Sequence, residues 1–408
     1  MHSMKFFVPL LFCLVFLTST ANAQPAGRFL DPDKRLEQYI CENWTTDEGL
    51  PTNSLLHLCQ TNDGYLWISG YNGLVRFDGK KFDIFNKTNT PAFKTDIIRK
   101  LAQDKEGRLW MTSQGSGLLS YYQGKFEQHG EKEKIKHLYR ALLVDKANRV
   151  WSASPDKGWF VYEDGYFRFL THSSNLANIE VRAIIQGKSG EIWFGTMGEG
   201  LYCFKNGDFT VFSKNDGLSN QWVYSLLVDK TNRLWIGTGN GLCILEAGKI
   251  KTVALPVNAT INSILEDDFG NIWLGSNNGL MRVNSKNGTV EWLSTKNGLL
   301  YNFINDMAFD FEGTLWLSNY KGGLARIKDG KFTNYTQRSG LQGKVVNAIC
   351  EPDKQNLLIA FDNGLLSTIN NGKIDNFKGP NSLNGKRIRH ILKDKNRSEE
   401  HTSELQSP

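Results

Sequence analysis

A tryptophan that recurs about every forty residues constrains the fold more than any other feature of this sequence. The intervals between successive copies are 43, 41, 42, 42, 38 and 43 residues, for Trp67, Trp110, Trp151, Trp193, Trp235, Trp273 and Trp316. Leu358 occupies the equivalent place 42 residues further on. A self-similar period of this size is typical of a solenoid, a propeller or an array of repeats.

Each repeat is predicted to consist of four short β-strands. The unit from Asn262 to Ser294 contains the runs NSILEDD, NIWLGS, LMRVN and TVEWLS, which are separated by Gly, Asn and Asp residues suited to hairpins. Helical repeats would show a 3.6-residue periodicity, and horseshoe repeats are shorter. The pattern therefore predicts an all-β protein, a β-propeller whose blades are four-stranded antiparallel sheets.

Two residue types in the repeat are predicted to be structural. The tryptophan lies in a run that is apolar throughout, as expected for a strand covered on both faces, so we expect the indole to pack between blades. An acidic residue recurs in the D-x-x-G turn, as at Asp104 and Asp229. Because it repeats, we interpret it as a turn cap and not as a catalytic acid or base.

The opening unit resembles the two-component regulator propeller repeat family. Trp44 to Phe85 reads WTTDEGLPTNSLLHLCQTNDGYLWISGYNGLVRFDGKKFDIF, with the GLP, the NS, the D-G before the tryptophan strand and the R-F-D-G turn of that family. The resemblance extends from Trp44 to about Asn396. It implies the exported sensor region of a bacterial hybrid two-component or histidine kinase regulator. Another propeller, a linking β-domain, one membrane helix, a cytoplasmic output module and a homodimeric full-length protein would complete it.

The chain is predicted to contain one complete ring and the start of another. The segment YICENWTTDEGLP matches the fourth strands of later units, so we expect it to close a seven-bladed ring over residues 38–335. Residues 336–396 would be the first units of a truncated second propeller. A single eight-bladed ring is the alternative. Residues 397–408, RSEEHTSELQSP, break the pattern and are interpreted as a non-native, adapter-like tail.

The first residues predict export. Lys5, the apolar run Phe6 to Leu17 and Ala21-Asn22-Ala23 fit a secretory signal peptide over residues 1–23, followed by a leader, 24–37. A retained membrane anchor is the weaker alternative, because a spanning helix needs roughly 20 apolar residues. We expect a periplasmic location, with membrane attachment only through a downstream segment. The net charge of +6 has no long basic run, so no nucleic-acid partner is predicted for this part.

The sequence predicts a binding domain and not an enzyme. It has no phosphate-binding loop, zinc-protease motif or nucleophile elbow, and its histidines lie in different parts of different units. No catalytic residue, metal or cofactor is predicted. Two alternatives stay open: a secreted propeller enzyme of the lyase type, and a protein-interaction scaffold.

Candidate ligand-binding residues lie in the loops that emerge on one face of the ring. Tyr71 and Tyr320 are expected side by side over the closure seam, and the neighbouring loops add further aromatic and polar groups. The full set is Tyr71, Asn72, Gln114, Arg182, Gln221, Trp222, Tyr301, Asn302, Asn319 and Tyr320. Aromatic rings beside amides and a guanidinium suit a carbohydrate or another polar small molecule.

Overall fold

The computed structural model describes residues 30–170, 176, 178–330, 335, 337, 340–353, 356–370, 373–378 and 386–392. The predicted signal peptide, 1–23, and the predicted tail, 397–408, lie outside the described residues. Within these ranges the regular structure consists of thirty-two β-strands and three short 3₁₀ helices, Leu36–Gln38, Thr46–Glu48 and Lys214–Asp216.

The strands form eight blades in chain order, preceded by one separate strand. The separate strand is β1, Ile40–Trp44. Blade one contains β2 Leu55–Gln60, β3 Leu66–Gly70, β4 Gly73–Phe77 and β5 Phe82–Phe85. Blade two contains β6 Ile98–Gln103, β7 Leu109–Ser113, β8 Leu118–Tyr122 and β9 Lys125–His129. Blade three contains β10 Leu142–Val144, β11 Val150–Ser154, β12 Gly158–Glu163 and β13 Tyr166–Phe169.

The later blades repeat this arrangement. Blade four contains β14 Val181–Gln186, β15 Ile192–Thr196, β16 Leu201–Lys205 and β17 Asp208–Phe212. Blade five contains β18 Val223–Val228, β19 Leu234–Thr238, β20 Gly241–Glu246 and β21 Lys249–Val253. Blade six contains β22 Ile261–Glu266, β23 Ile272–Ser276, β24 Gly279–Val283 and β25 Val290–Leu293. Blade seven contains β26 Ile304–Phe309, β27 Leu315–Asn319 and β28 Gly323–Lys328; blade eight contains β29 Val346–Asp353, β30 Asn356–Phe361, β31 Leu365–Asn370 and β32 Lys373–Lys378.

Every blade is a four-stranded antiparallel sheet, which confirms the predicted fold class. In seven of the sheets the strands follow chain order. In blade seven the outer place beside β28 is taken by β1, and the sheet order is β1-β28-β27-β26. The predicted boundary of a second propeller, 336–396, stays a prediction, and blade eight falls within it.

Burial explains the composition of the strands. In blades one to seven the second strand is buried along its whole length, as in β15, whereas the outer strand β17 is exposed or half-buried at every position. A strand covered on both faces need not alternate polar and apolar residues. The repeated tryptophans lie in these second strands and are buried, with Trp67 at 1% and Trp273 at 0% exposure. Trp273 packs against Leu315 and Leu317 of the next blade, as the structural interpretation requires.

A buried hydrogen bond links the first turn of each unit to its tryptophan. The indole Nε1 donates to an aspartate Oδ2 at 2.8 to 2.9 Å in five units, through the pairs Trp110–Asp104, Trp151–Asp145, Trp235–Asp229, Trp273–Asp267 and Trp316–Asp310. In unit one Thr61 Oγ1 is the acceptor at 3.0 Å. Unit four has Gly187 in the aspartate position, and Trp193 reaches Glu191 Oε1 at only 3.5 Å.

The same aspartate also caps the turn. In unit five, Asp229 Oδ1 accepts from the backbone nitrogens of Thr231 and Arg233 at 2.9 and 2.8 Å. Burial acts to raise the pKa of Asp229, but these bonds and the one from Trp235 outweigh it and lower the pKa to about 2. The carboxylate is therefore ionised at neutral pH, and its repeated role is the predicted turn cap.

Blade seven is in direct contact with blade one. Strand β1 pairs with β28 in register from Ile40 opposite Lys328 to Trp44 opposite Leu324. The Leu58 nitrogen donates to Asp306 Oδ2 at 3.1 Å across the boundary between blades one and seven. Strand β2 also contacts β26 and β27, and each first strand from β2 to β26 contacts the next. These are the contacts that a closed seven-bladed ring requires, and blade eight does not stand between blades seven and one.

Removing one turn aspartate tests the buried hydrogen bond. Asp229→Ala leaves the Trp235 indole and two backbone nitrogens without their acceptor, so we expect the free energy of unfolding to fall by about 3 kcal/mol. Asp268→Ala is the matched control, because Asp268 makes only an exposed ion pair with Lys230 and should change stability by less than about 0.5 kcal/mol. Urea unfolding followed by fluorescence measures both. Equal effects would contradict the structural role of Asp229.

Truncating an indole tests the seam between blades seven and one. The ring of Trp44 lies 5.5 Å from that of Trp316 and 5.9 Å from that of Phe77, between centroids. We expect Trp44→Ala to lower the free energy of unfolding by about 2 to 4 kcal/mol. Trp222→Ala should change it by less than about 0.5 kcal/mol, since that indole is 51% exposed. Indistinguishable midpoints for the two variants would refute this packing.

Candidate functional site

A β-bulge near the start of the first strand recurs around the ring. In blades one, four, five, six and seven the pairing with the second strand skips one residue, and in blade two it skips two. A bulge redirects the side chain of the unpaired residue. This position, eleven residues before each tryptophan, holds Leu56, Arg99, Arg140, Arg182, Tyr224, Asn262 and Asn305.

The first strands enclose a cavity of about 480 Å³ along the middle of the ring. Blades one, two, four, five, six and seven all contribute to its wall. Its polar lining residues are His57, Lys100, Arg182, Tyr224, Ser225, Asn262, Ser263 and Asp306. The cavity therefore has the size of a small-molecule site and combines charged groups with amides and hydroxyls.

This cavity forms the central channel of the ring, and Asp306 joins three blades inside it. Its carboxylate accepts from the Leu58 nitrogen at 3.1 Å and from Ser263 Oγ at 3.1 Å, and His57 Nε2 lies 3.2 Å away. His57 Nδ1 accepts from the Leu101 nitrogen at 3.3 Å. Burial lowers the pKa of His57 to about 3, so the imidazole is neutral and donates through Nε2. These bonds use both nitrogens of His57 to hold the wall together.

Three guanidiniums converge at one mouth of the channel. Arg99 donates to the Leu138 carbonyl at 3.0 Å and to Gln114 Oε1 at 2.7 Å. Arg140 donates to the Tyr71 hydroxyl at 2.8 Å. Arg182 lies over the ring of Tyr224, 5.5 Å from its centroid. Neighbouring blades thus hold the three cations in place through neutral groups.

Their pKa values show that the charges are close and only partly compensated. Burial and then the charge of Arg140 lower the pKa of Arg99, and the same two causes lower the pKa of Arg182 to about 10. The negative charge of Glu180 acts to raise the pKa of both Arg99 and Arg182. No carboxylate of the described residues lies within ion-pair distance of these three guanidiniums. Arg99 and Arg182 nevertheless remain charged at neutral pH.

Three of the predicted ligand-binding residues belong to this mouth. Tyr71, Gln114 and Arg182 meet there with Arg99 and Arg140. Tyr71 and Tyr320 were expected side by side, but no ring contact joins them. Tyr71 is directed to Arg140 in blade three, whereas Tyr320 pairs with Phe303 at 5.4 Å between centroids.

Gln221 and Trp222 line a separate cavity of about 410 Å³ together with Asn220, Tyr224 and Thr260. Tyr224 belongs to this cavity and to the channel, so the two are neighbours. Trp222 is among the most exposed large side chains of the described residues, at 51%. It is available as a stacking surface.

The other predicted residues have mixed roles. Tyr301 is exposed and covers Gly322, where any side chain would overlap its ring. Asn302 Oδ1 accepts from the Thr295 nitrogen at 2.8 Å, and Asn72 Nδ2 donates to the Pro51 carbonyl at 3.1 Å. Asn319 is buried and donates to the Gly323 carbonyl. The three asparagines therefore bind neighbouring loops, which leaves the tyrosine as the accessible group.

Sequence reasoning that looked only at loops missed Arg99 and Arg140. Both hold the position equivalent to that of Arg182, eleven residues before the tryptophan of their unit. Aligning the units on their tryptophans shows three successive arginines, at 99, 140 and 182, in one column. That column is the pattern that could have revealed them.

The described residues offer neither a metal-binding cluster nor a membrane-spanning helix. They contain no group of three or more His, Cys, Asp or Glu side chains arranged to hold a metal ion. They also include no helix with the length and apolar character needed to cross a membrane.

Three parts of the chain match the sequence profile described as two component regulator propeller, at residues 49–72, 217–240 and 254–278. These segments cover the turns and tryptophan strands of units one, five and six. These three segments are similar to two-component regulator propeller repeats. A comparison with curated protein sequences gives no match.

Solved structures share the fold of this repeat protein. The extracellular domain of a hybrid two component system from B. thetaiotaomicron superposes with a TM-score of 0.73 at 20% identity, covering 88% of this chain and 51% of that one. A second such domain from the same organism gives 0.58 at 22% identity, covering 88% and 50%. Virginiamycin B lyase from Staphylococcus aureus gives 0.59 at 16% identity, covering 71% and 98%. The chain spans about half the length of the two extracellular domains.

Replacing Arg182 tests the charge crowding at the mouth. Because burial and Arg140 disfavour its charge, we expect Arg182→Met to leave the free energy of unfolding unchanged or to raise it by up to about 1 kcal/mol. Arg282→Met is the control. Arg282 is buried and bonded to Glu291 and the Tyr39 hydroxyl, so its loss should cost about 3 to 5 kcal/mol. A comparable loss for Arg182→Met in denaturant titrations would show that its charge is compensated.

Proposed function

We propose that this propeller is the exported ligand-sensing part of a two-component regulator, and that it recognises a carbohydrate or another polar small molecule. The observation that carries the proposal is the channel mouth, where Arg182 lines the channel cavity, Arg99 and Gln114 line another cavity, and Arg140 donates to Tyr71. Groups of this kind bind polar ligands through hydrogen bonds and aromatic contact. The family match supports a role in two-component signalling.

The arrangement favours binding over catalysis. His57 is neutral and uses both ring nitrogens within the wall, and His129 is bonded to Ser120 and Tyr162 in blades two and three. No two histidines of the described residues share a site. The likeness to virginiamycin B lyase extends to the fold alone, so it supplies no catalytic group.

A sensor of this kind would act by shifting a population of states. A ligand that binds one arrangement of the exported part more tightly than another stabilises that arrangement by its difference in binding free energy. In a homodimeric, membrane-anchored full-length protein, that difference would be passed to a cytoplasmic output. The ligand site proposed here supplies the first step.

Calorimetric titration of the purified chain with a panel of neutral and acidic oligosaccharides tests the proposal. We expect at least one saccharide to bind. Trp222→Ala or Tyr301→Ala should weaken that binding about tenfold, which corresponds to roughly 1.4 kcal/mol, because each removes an exposed aromatic surface on this face.

Phe311→Ala is the matched control for these variants. Phe311 is 62% exposed but lines a cavity with Leu30 and Phe269, at the turn between β26 and β27 and away from the channel mouth. Its removal should leave the affinity unchanged. Flat titrations across the whole panel, or equal effects of all three variants, would overturn the proposed function.

A further inference from the structure

The arginines at the channel mouth differ from the other arginines in their partners. Elsewhere in the described chain, half-buried or buried arginines are paired with carboxylates, through Arg76–Asp83, Arg149–Asp145, Arg233–Asp229, Arg282–Glu291 and Arg326–Glu42. Arg99, Arg140 and Arg182 instead bond to a carbonyl, an amide oxygen, a phenol hydroxyl and an aromatic face. The blades position three cations without neutralising them.

The three cations are brought together by equivalent positions in the fold. They occupy equivalent positions, eleven residues before the tryptophan, in units two, three and four. The pairing of the first strand is bulged there in blades two and four, and in blade three Arg140 lies two residues before β10. Strand β10 contacts both β6 and β14, which places Arg140 between the other two. Like charges at this spacing repel one another, and a shared anion would remove that repulsion.

Further donors face the same place. The Tyr71 hydroxyl accepts from Arg140 and retains its own proton to donate. Gln114 uses its side-chain oxygen for Arg99, which leaves its Nε2 group for another acceptor. Lys100 also lines the channel, where its ammonium lies 3.9 Å from Asp306 Oδ1. The mouth is therefore rich in hydrogen-bond donors that are positively charged or neutral. Glu180 is the one acidic residue whose charge raises the pKa of both Arg99 and Arg182.

We propose that Arg99, Arg140 and Arg182 bind a single oxyanion group, a carboxylate or a sulfate, carried by the small-molecule ligand. The planar guanidinium presents paired N–H donors that match the oxygens of such a group. This inference rests on the proposed function, because it specifies the chemical class of the ligand at the same site. The three arginines require an acidic ligand, whereas the aromatic and amide groups alone would also fit a neutral sugar.

Matched probes that differ only in charge test the inference. The chain is titrated calorimetrically with digalacturonic acid and its dimethyl ester, with a sulfated disaccharide and its unsulfated form, and with sodium sulfate alone. We expect one acidic probe to bind at least about tenfold more tightly than its uncharged partner, with affinity falling as salt rises. The two acidic pairs distinguish a carboxylate from a sulfate as the recognised group.

Two variants with the same chemical change separate the site from general charge. Arg140→Gln removes the middle cation and should lower the affinity for the acidic probe about tenfold or more. Arg168 lies on the exposed outer strand β13 of the same blade, so Arg168→Gln should leave the affinity for the acidic probe unchanged. Arg182→Met repeats the test at a second position, and thermal unfolding of each variant establishes that it is folded.

The outcomes separate the two proposals. Charged and uncharged probes that bind equally, with no effect of Arg140→Gln, would overturn the oxyanion site but leave the saccharide sensor. Sulfate that raises the Tm of the chain but not of Arg140→Gln, with no saccharide binding, would support the anion site and contradict saccharide sensing. A chain that binds none of the probes, sulfate included, would overturn both.

Discussion

In six of the seven units a hydrogen bond joins the repeated indole to the turn residue six positions earlier, and this is the interaction on which the structure depends. It joins the turn between the first and second strands to the residue that fills the space between blades. Because the same aspartate also caps the turn, the register of these two strands is held alike from unit to unit. Equivalent residues of different blades therefore reach equivalent places around the channel.

This equivalence is what turns a structural repeat into a site. The tryptophan is kept in units one to seven, whereas the position eleven residues before it changes from leucine to arginine, tyrosine and asparagine around the ring. Arginines elsewhere are neutralised by carboxylates, but those at the mouth are left with neutral partners. Uncompensated charge of this kind lowers stability and is useful where a charged group must be bound.

Much of the fold could be predicted from sequence because the repeat supplies many copies of one pattern. The tryptophan spacing and turn residues correctly indicated four-stranded blades, and the match of β1 to later outer strands anticipated its pairing with β28. The site was harder. Arg99 and Arg140 lie within or beside strands, where a residue is usually interpreted as part of the core. The direction of the Tyr71 side chain towards Arg140 could not be predicted either, because knowing which blades are adjacent does not show where a side chain points. The loop comparison found Arg182 but could not show which groups would surround it.

Indole proton exchange, measured by nuclear magnetic resonance on a chain labelled with ¹⁵N-tryptophan, tests the central claim most directly. Trp222 supplies the reference for an exposed indole. The account predicts strongly protected Nε1 protons for Trp110, Trp151, Trp235, Trp273 and Trp316, with weaker protection for Trp193, whose acceptor is more distant. Indole protons of the repeated tryptophans that exchange as fast as that of Trp222 would contradict it.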